Sequence, residues 1–281
     1  MRAKPWALGC ALVVGCAAMV QVGEDTPSSA YVFFKTKTSP VQNWRWWKRA
    51  GPLPFHVAQV TPQEVPLDQV PTIMQDAFDS WTDLPCGLVP EVYYAGPVTT
   101  TATTEPADTS VPPDNIILFV QSSAEWGALR HSQSELAITK VFADPDTGEI
   151  VDADMEINDA GFKFTINDAP DQAGEVDYIG TMIHEAGHFF GMDHSLDKTA
   201  TMYVSYIAAT PTDAHPQRSL EPDDIAGACA LYTDTPTHVD PGTGGGGTDP
   251  GGCTGAGAAA TMLTLATSLA LLARRRTRSG A

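Results

Sequence analysis

Positive charge is nearly missing from the middle of this chain. Between positions 51 and 250 there are five basic residues, Arg130, Lys140, Lys163, Lys198 and Arg218, against 32 acidic ones, a balance of −27. The whole chain of 281 residues carries −18. So acidic a body repels phosphate backbones, which excludes nucleic acid as a partner. It favours cations, basic peptides or plain solubility in a salty or extracellular medium. Cysteine is also scarce. Of five, Cys10 and Cys16 lie near the N-terminus and Cys253 near the C-terminus, so Cys86 and Cys229 are the only pair in the globular region. They form one disulfide or stand as two separately buried thiols.

The two ends read as targeting segments. Arg2 and Lys4 precede an apolar run, Trp6 to Val14, that is too short to span a bilayer. Residues 1–18 are therefore read as an export signal. Cleavage after Ala18 is one form of it. Lipidation of Cys16 after Val13-Val14-Gly15 is the other. Export permits disulfides. At the far end, residues 236–255 are rich in Gly, Pro, Thr and Asp and read as a flexible linker. Residues 256–273 then carry no charge and run into Arg274-Arg275-Arg276-Thr277-Arg278, a membrane-length segment with a positive stop. These ends predict a protein exported to the cell surface or secreted, touching membrane through an N-terminal lipid, the C-terminal segment 256–281, or both.

Residues 31–235 read as one domain. The basic-aromatic cluster Trp44 to Arg49 is a membrane- or glycan-binding face or, alternatively, a lead-in strand lying on its own core. Phe55, Val57 and Val60 alternate with polar positions in a first strand. A helix over 70–84 brings Ile73, Met74, Ala77, Phe78, Trp81 and Leu84 to one face. Strands follow at Asn115–Gln121, Leu136–Phe142 and Ile150–Ile157, the last two joined by the turn-rich Ala143–Gly148. A second helix is predicted from about Asp171 to Phe190, with Ile179, Met182, Ile183, Ala186 and Phe190 on its core face. A third begins near Pro222. Strands first, then helices, give an α+β fold with one mixed, twisted sheet and three main helices.

The chemistry concentrates in His184-Glu185-Ala186-Gly187-His188-Phe189-Phe190-Gly191-Met192-Asp193-His194. Histidines at i and i+4 leave a helix on one face and can reach one ion. Glu185, one residue beyond the first, is placed to meet a metal-bound water rather than the metal. Gly191 can take the positive φ that ends a helix, after which the chain turns back to bring His194 as third ligand. Three protein ligands leave a fourth position for water, the open arrangement of catalytic zinc. A closed structural site would need a fourth Cys or His nearby, and the sequence offers none.

This stretch resembles the matrixin branch of the metzincins. Ser195 follows the third histidine, as in that family, and Thr201-Met202-Tyr203 resembles its Met-turn, with Met202 as a hydrophobic floor beneath the metal. Leu136-Ala137-Ile138-Thr139 looks like the edge strand that pairs with substrate, and Arg218–Ile225 like the start of the C-terminal helix. The resemblance covers roughly residues 50–235. It implies a metzincin-like catalytic domain with an active-site cleft. The implied activity is that of a monomeric zinc endopeptidase acting on protein or peptide substrates, with His184, His188 and His194 as metal ligands and Glu185 as general base. A surface-displayed binding module without activity is the alternative. Tyr203 or Tyr206 either approaches the metal or packs.

Three departures stand out. Val204 replaces the usual proline after Met-Tyr. No thiol-bearing propeptide is read in the sequence, so latency through a thiol ligand is not expected. No histidine lies between His131 and His184, so a second, structural zinc is not expected. Calcium is the remaining candidate cation, through Asp144, Asp146, Glu149, Asp152, Asp154 or Glu156; a solvated turn and strand face is the other reading of those carboxylates. The tail resembles a myxobacterial surface-sorting signal, which implies processing near Cys253 and display on the outer membrane of a Gram-negative cell.

Overall fold

The computed structural model describes residues 29–47, 51–103, 106, 113–169, 172, 174–210, 215–232 and, as backbone, 251–254. The signal segment with Cys16, the linker up to residue 250 and the apolar segment with its arginines lie outside the described residues. So does the side chain of Cys253.

The elements run β1 (Val32–Phe33), β2 (Leu53–Ala58), α1 (Val70–Thr82), β3 (Val92–Val98), β4 (Ile116–Phe119), α2 (Ser123–Ala128), β5 (Glu135–Ala143), β6 (Ile150–Ile157), β7 (Lys163–Thr165), β8 (Glu175–Asp177), α3 (Tyr178–Phe189), β9 (Met192–Asp193), a 3-10 turn (Pro216–Arg218), α4 (Pro222–Leu231) and β10 (Gly251–Thr254). Six strands form the main sheet in the order β10-β5-β6-β4-β2-β3. β2, β3, β4 and β6 run parallel; β5 is antiparallel to β6, and β10 is antiparallel to β5. The fold is thus α+β, with a mixed sheet and three main helices.

Strand alternation sorts the side chains into two layers. On β4, Ile117 and Phe119 face the main core, whereas Ile116 and Leu118 join Trp126 of α2 in a smaller core on the opposite face. On β6, Ala153, Met155 and Ile157 enter the main core, so Asp152, Asp154 and Glu156 turn to the other face. Helices α1 and α3 cover the main-core face. Phe78 of α1 meets Phe189 of α3 at 4.8 Å between ring centres, and Trp81 donates its indole N–H to the Ile183 carbonyl at 2.8 Å. Each such fully buried large side chain stabilises the fold by about 1.5–3 kcal/mol relative to exposure.

Several sequence expectations shift. Helix α3 starts at Tyr178, not near Asp171. Glu175–Asp177 instead pair with β7, and Asp177 caps the helix, its carboxylate accepting the Gly180 N–H at 2.9 Å. α3 is also not amphipathic, because only Ile179 along it is incompletely buried. In α1, Ile73 is half-buried and Val70 takes the core position one turn earlier. The aromatic cluster lies partly on its own core: Trp46 is buried with its indole N–H on the Phe189 carbonyl, while Trp47 is exposed. Cys86 and Cys229 are joined, tying the end of α1 to α4 across 143 residues of sequence. Gly251–Thr254, which composition assigns to a linker, forms β10. Pairing through backbone groups is tolerant of sequence, so composition did not announce it.

Candidate metal and catalytic site

Helix α3 carries His184 and His188 one turn apart, and the turn after it returns His194 to the same point. That turn needs Gly191. Its φ is +95°, and a Cβ there would run into the Trp44 carbonyl. The three imidazoles offer nitrogens within 4.8 Å of one another. Both helical histidines are fully buried, and their orientation is fixed from behind. His184 Nδ1–H donates to the Thr201 carbonyl at 2.6 Å, and His188 Nδ1–H to the Met192 carbonyl at 2.8 Å. Carbonyl oxygens only accept, so both Nδ1 atoms carry the proton, and both Nε2 lone pairs point into the site. Those Nε2 atoms lie 3.1 Å apart.

Two neutral acceptors that close repel unless a proton or a cation lies between them. A proton is disfavoured. Burial first, then the charge of His194, outweighs the Thr201 carbonyl and pushes His184 down to about 3. Burial, then His184 and His194, hold His188 well below the ordinary range. A donor set of neutral imidazoles fits a borderline metal such as zinc.

Glu185 is fully buried next to this triad. Thr139 of β5 donates its hydroxyl to Glu185 Oε2 at 2.6 Å and lies 3.1 Å from the Glu185 carbonyl. The strand that borders the site thereby fixes the carboxylate. Of the candidate substrate-contacting residues, Leu136, Ala137, Ile138 and Thr139 are all buried as side chains. What β5 offers an extended ligand is its outer backbone edge.

Met202 is buried against Gly187 of α3. A Cβ on Gly187 would overlap its sulfur, so only glycine lets the turn approach α3 this closely. The turn is held by a residue the sequence reading did not single out. Asp224 of α4 accepts the backbone N–H of Thr201 at 2.7 Å and of Met202 at 3.0 Å. Its neighbour Asp223 accepts the Ser195 hydroxyl at 2.7 Å and the Ala30 N–H at 2.9 Å. Two adjacent carboxylates at the start of a helix look like ordinary N-terminal charge; nothing in sequence spacing shows what they reach. Tyr206 lies away from the triad, its hydroxyl accepting the Asp177 N–H at the start of α3. Tyr203 bridges to Ser195 in the same loop.

The six carboxylates considered for calcium do not come together. Asp144 accepts the N–H groups of Asp146 and Thr147 within its own turn, and Glu149 accepts that of Trp47. Glu156 is engaged by His131, Lys140 and Thr103. Burial opposes its ionisation, but those three partners outweigh burial and hold it below the usual range. Asp152 and Asp154 do converge, and with them Asp114, which lies far from both in sequence. Burial, then the Asp152 charge, pushes Asp154 up to about 8.

Residues 117–233 match the family model of the matrixins. That stretch runs from β4 through α4 and contains all three histidines, Glu185, Thr139, Met202 and Asp224. A protein of Spodoptera frugiperda ascovirus 1a described as "Putative matrix metalloproteinase" is 37% identical over 78 residues, covering 27% of this chain and 19% of the viral protein. The matched segment is thus a minor part of that relative's length. Together with the α+β architecture, these matches support a matrixin-like metalloprotease domain.

Proposed function

We propose that this chain is a zinc-dependent endopeptidase acting on extended protein or peptide substrates. The observation that carries the reading is the pair of His184 and His188 Nε2 lone pairs, 3.1 Å apart and fixed by carbonyls behind them. Zinc would be held by these two nitrogens and the His194 imidazole. Bound there, zinc would supply a Lewis acid able to polarise a peptide carbonyl and to lower the pKa of water to about 7. Glu185, oriented by the Thr139 hydroxyl, takes the proton of the attacking water at its carboxylate and returns it to the leaving amine. Met202 closes the floor under the histidines. The backbone of Leu136–Thr139 aligns the substrate.

The test separates base from ligand. Glu185→Gln keeps size and polarity but cannot accept the proton, so zinc content stays near one per chain. Turnover falls by about 10²–10⁴-fold, the usual worth of general acid–base catalysis. In His188→Ala, zinc and activity fall together. Active protein without zinc by metal analysis would refute the reading. A zinc-loaded chain that hydrolyses no peptide would favour a binding module.

We assign a second cation of calcium type to Asp114, Asp152 and Asp154. Asp154 Oδ2 is buried, and among the described residues no donor reaches it. The sequence ends support export to the surface or the medium, and the Cys86–Cys229 bond accords with an oxidising compartment. Surface proteolysis of intact cells should remove the domain; the full-length chain in the cytosol would overturn the localisation.

A further inference from the structure

The outer edge of β5 is where an extended ligand would pair, and in this structure Gly251–Thr254 already lies along it. The register is antiparallel: Gly251 opposite Thr139, Gly252 opposite Ile138, Cys253 opposite Ala137, and Thr254 opposite Glu135 after a shift. Thr139 is the residue whose hydroxyl fixes Glu185. The strand also lies against α3, which carries two of the metal-ligand candidates. A peptide backbone on this edge therefore sits beside the reacting groups, not on a remote margin of the sheet.

We propose that Gly251–Thr254 is an intramolecular occupant of the substrate cleft, which competes with substrate for the edge of β5. The inference deepens the peptidase reading and rests on it for the identity of the competitor. Reach is not limiting. α4 ends at Leu231, and the 18 residues 233–250 precede β10. Eighteen residues can reach at most about 60 Å when fully extended. A segment carried on the same chain competes at the effective concentration of an intramolecular partner, which reaches the order of mM. An occupant of only four residues, two of them glycine, binds weakly, yet at mM effective concentration it competes with substrates of ordinary affinity. An unpaired β5 would leave a row of free backbone N–H and C=O groups at an open sheet edge, and the tail covers them.

The experiment compares the full chain with a full-length Gly251→Pro/Gly252→Pro variant, because proline supplies no ladder N–H. Hydrogen exchange over residues 135–143 is read in the Glu185→Gln background, which keeps the segment intact. KM and kcat for a short synthetic peptide are read with Glu185 in place. Exchange in the β5 segment should speed up in the proline variant. KM should fall about threefold or more at unchanged kcat, the signature of losing an intramolecular competitor. Identical exchange in both proteins would overturn the proposal. If exchange differs but neither protein cleaves peptide, the tail occupies the cleft and the peptidase reading fails. If both cleave with equal KM and equal exchange, the peptidase reading stands and the occupant is refuted.

Discussion

Gly187→Ala sets two effects of known size against each other. Gly187 sits in the middle of α3, where alanine is normally better than glycine by about 1 kcal/mol. Propensity alone therefore expects a stabilised protein. The surroundings argue the opposite. A Cβ at this position would lie 2.7 Å from Trp81 Cζ2 and 3.1 Å from Met202 Cε, and closer still to the Met202 sulfur. Ordinary carbon contacts are about 3.5–4.0 Å. Neither neighbour yields easily. Trp81 is fully buried and tied to the Ile183 carbonyl, and the Met202 backbone is tied to Asp224. Overpacking of this kind costs about 1–3 kcal/mol, so the net change is a loss of about 0–2 kcal/mol. Urea unfolding of the chelated protein would measure it without metal linkage. In a Met202→Ala background the sulfur and Cε are gone, and the same substitution should cost about 1 kcal/mol less. A Gly187→Ala protein more stable than wild type by the full propensity gain would refute the packing argument.

Asp224→Asn keeps the shape but loses the charge that gathers the Thr201 and Met202 N–H groups. Hydrogen bonds to a charged group are worth about 1.5–3 kcal/mol, so zinc affinity measured by competitive chelation should fall about tenfold or more, because the Thr201 carbonyl orients His184. Cys86→Ala/Cys229→Ala should lower stability by about 2–5 kcal/mol, since the closed loop is long; a change below the precision of a urea melt would show that the bond adds nothing. Glu156 is held ionised below the ordinary carboxyl range, so its contribution is complete above about pH 4.3 and is lost as pH falls through the depressed folded value. The stability of Glu156→Gln should therefore depend less on pH across that acid window, and an unchanged slope would exclude the network. Calcium should raise the thermal midpoint of the full chain, and by less in Asp154→Asn; identical midpoints with calcium or a chelator would remove the second cation.

The candidate metal site was legible because its geometry is local. Two histidines at i and i+4, a glycine that must take positive φ and a third histidine three residues later are fixed by helix periodicity and one turn. β6 and the start of α4 were legible for a related reason, through apolar alternation and a proline in the first turn. What stayed hidden depends on contacts far apart in sequence. Thr139 reaches Glu185 across 46 residues, and Asp224 reaches Thr201 across 23. β3 was missed because it is a sheet edge with Tyr93 and Tyr94 exposed and a Gly96-Pro97 break, so no alternating pattern survives. The carboxylates of β6 were read as one set, yet alternation puts Asp152, Asp154 and Glu156 on one face and distributes them between a carboxylate cluster with Asp114 and a His131–Lys140 network.

Helix α4 explains why the loop that carries His194 and Met202 can be irregular and still precise. After α3 the chain has only the two-residue strand β9 and isolated bridges between residues 190 and 210, too little ladder to fix a ligand by itself. The fixing comes from α4. Asp223 holds Ser195, next to the third histidine, and Asp224 holds the turn at Thr201 and Met202. α4 is in turn anchored through Cys229 to Cys86 beyond α1, and α1 packs on α3 through Phe78 and Trp81. The path from α3 to α4 and back through α1 closes on the helix that supplies the first two histidines. A perturbation on α4 should therefore reach metal affinity before it reaches the sheet. The same substitution on β3, outside this circuit, should alter stability alone.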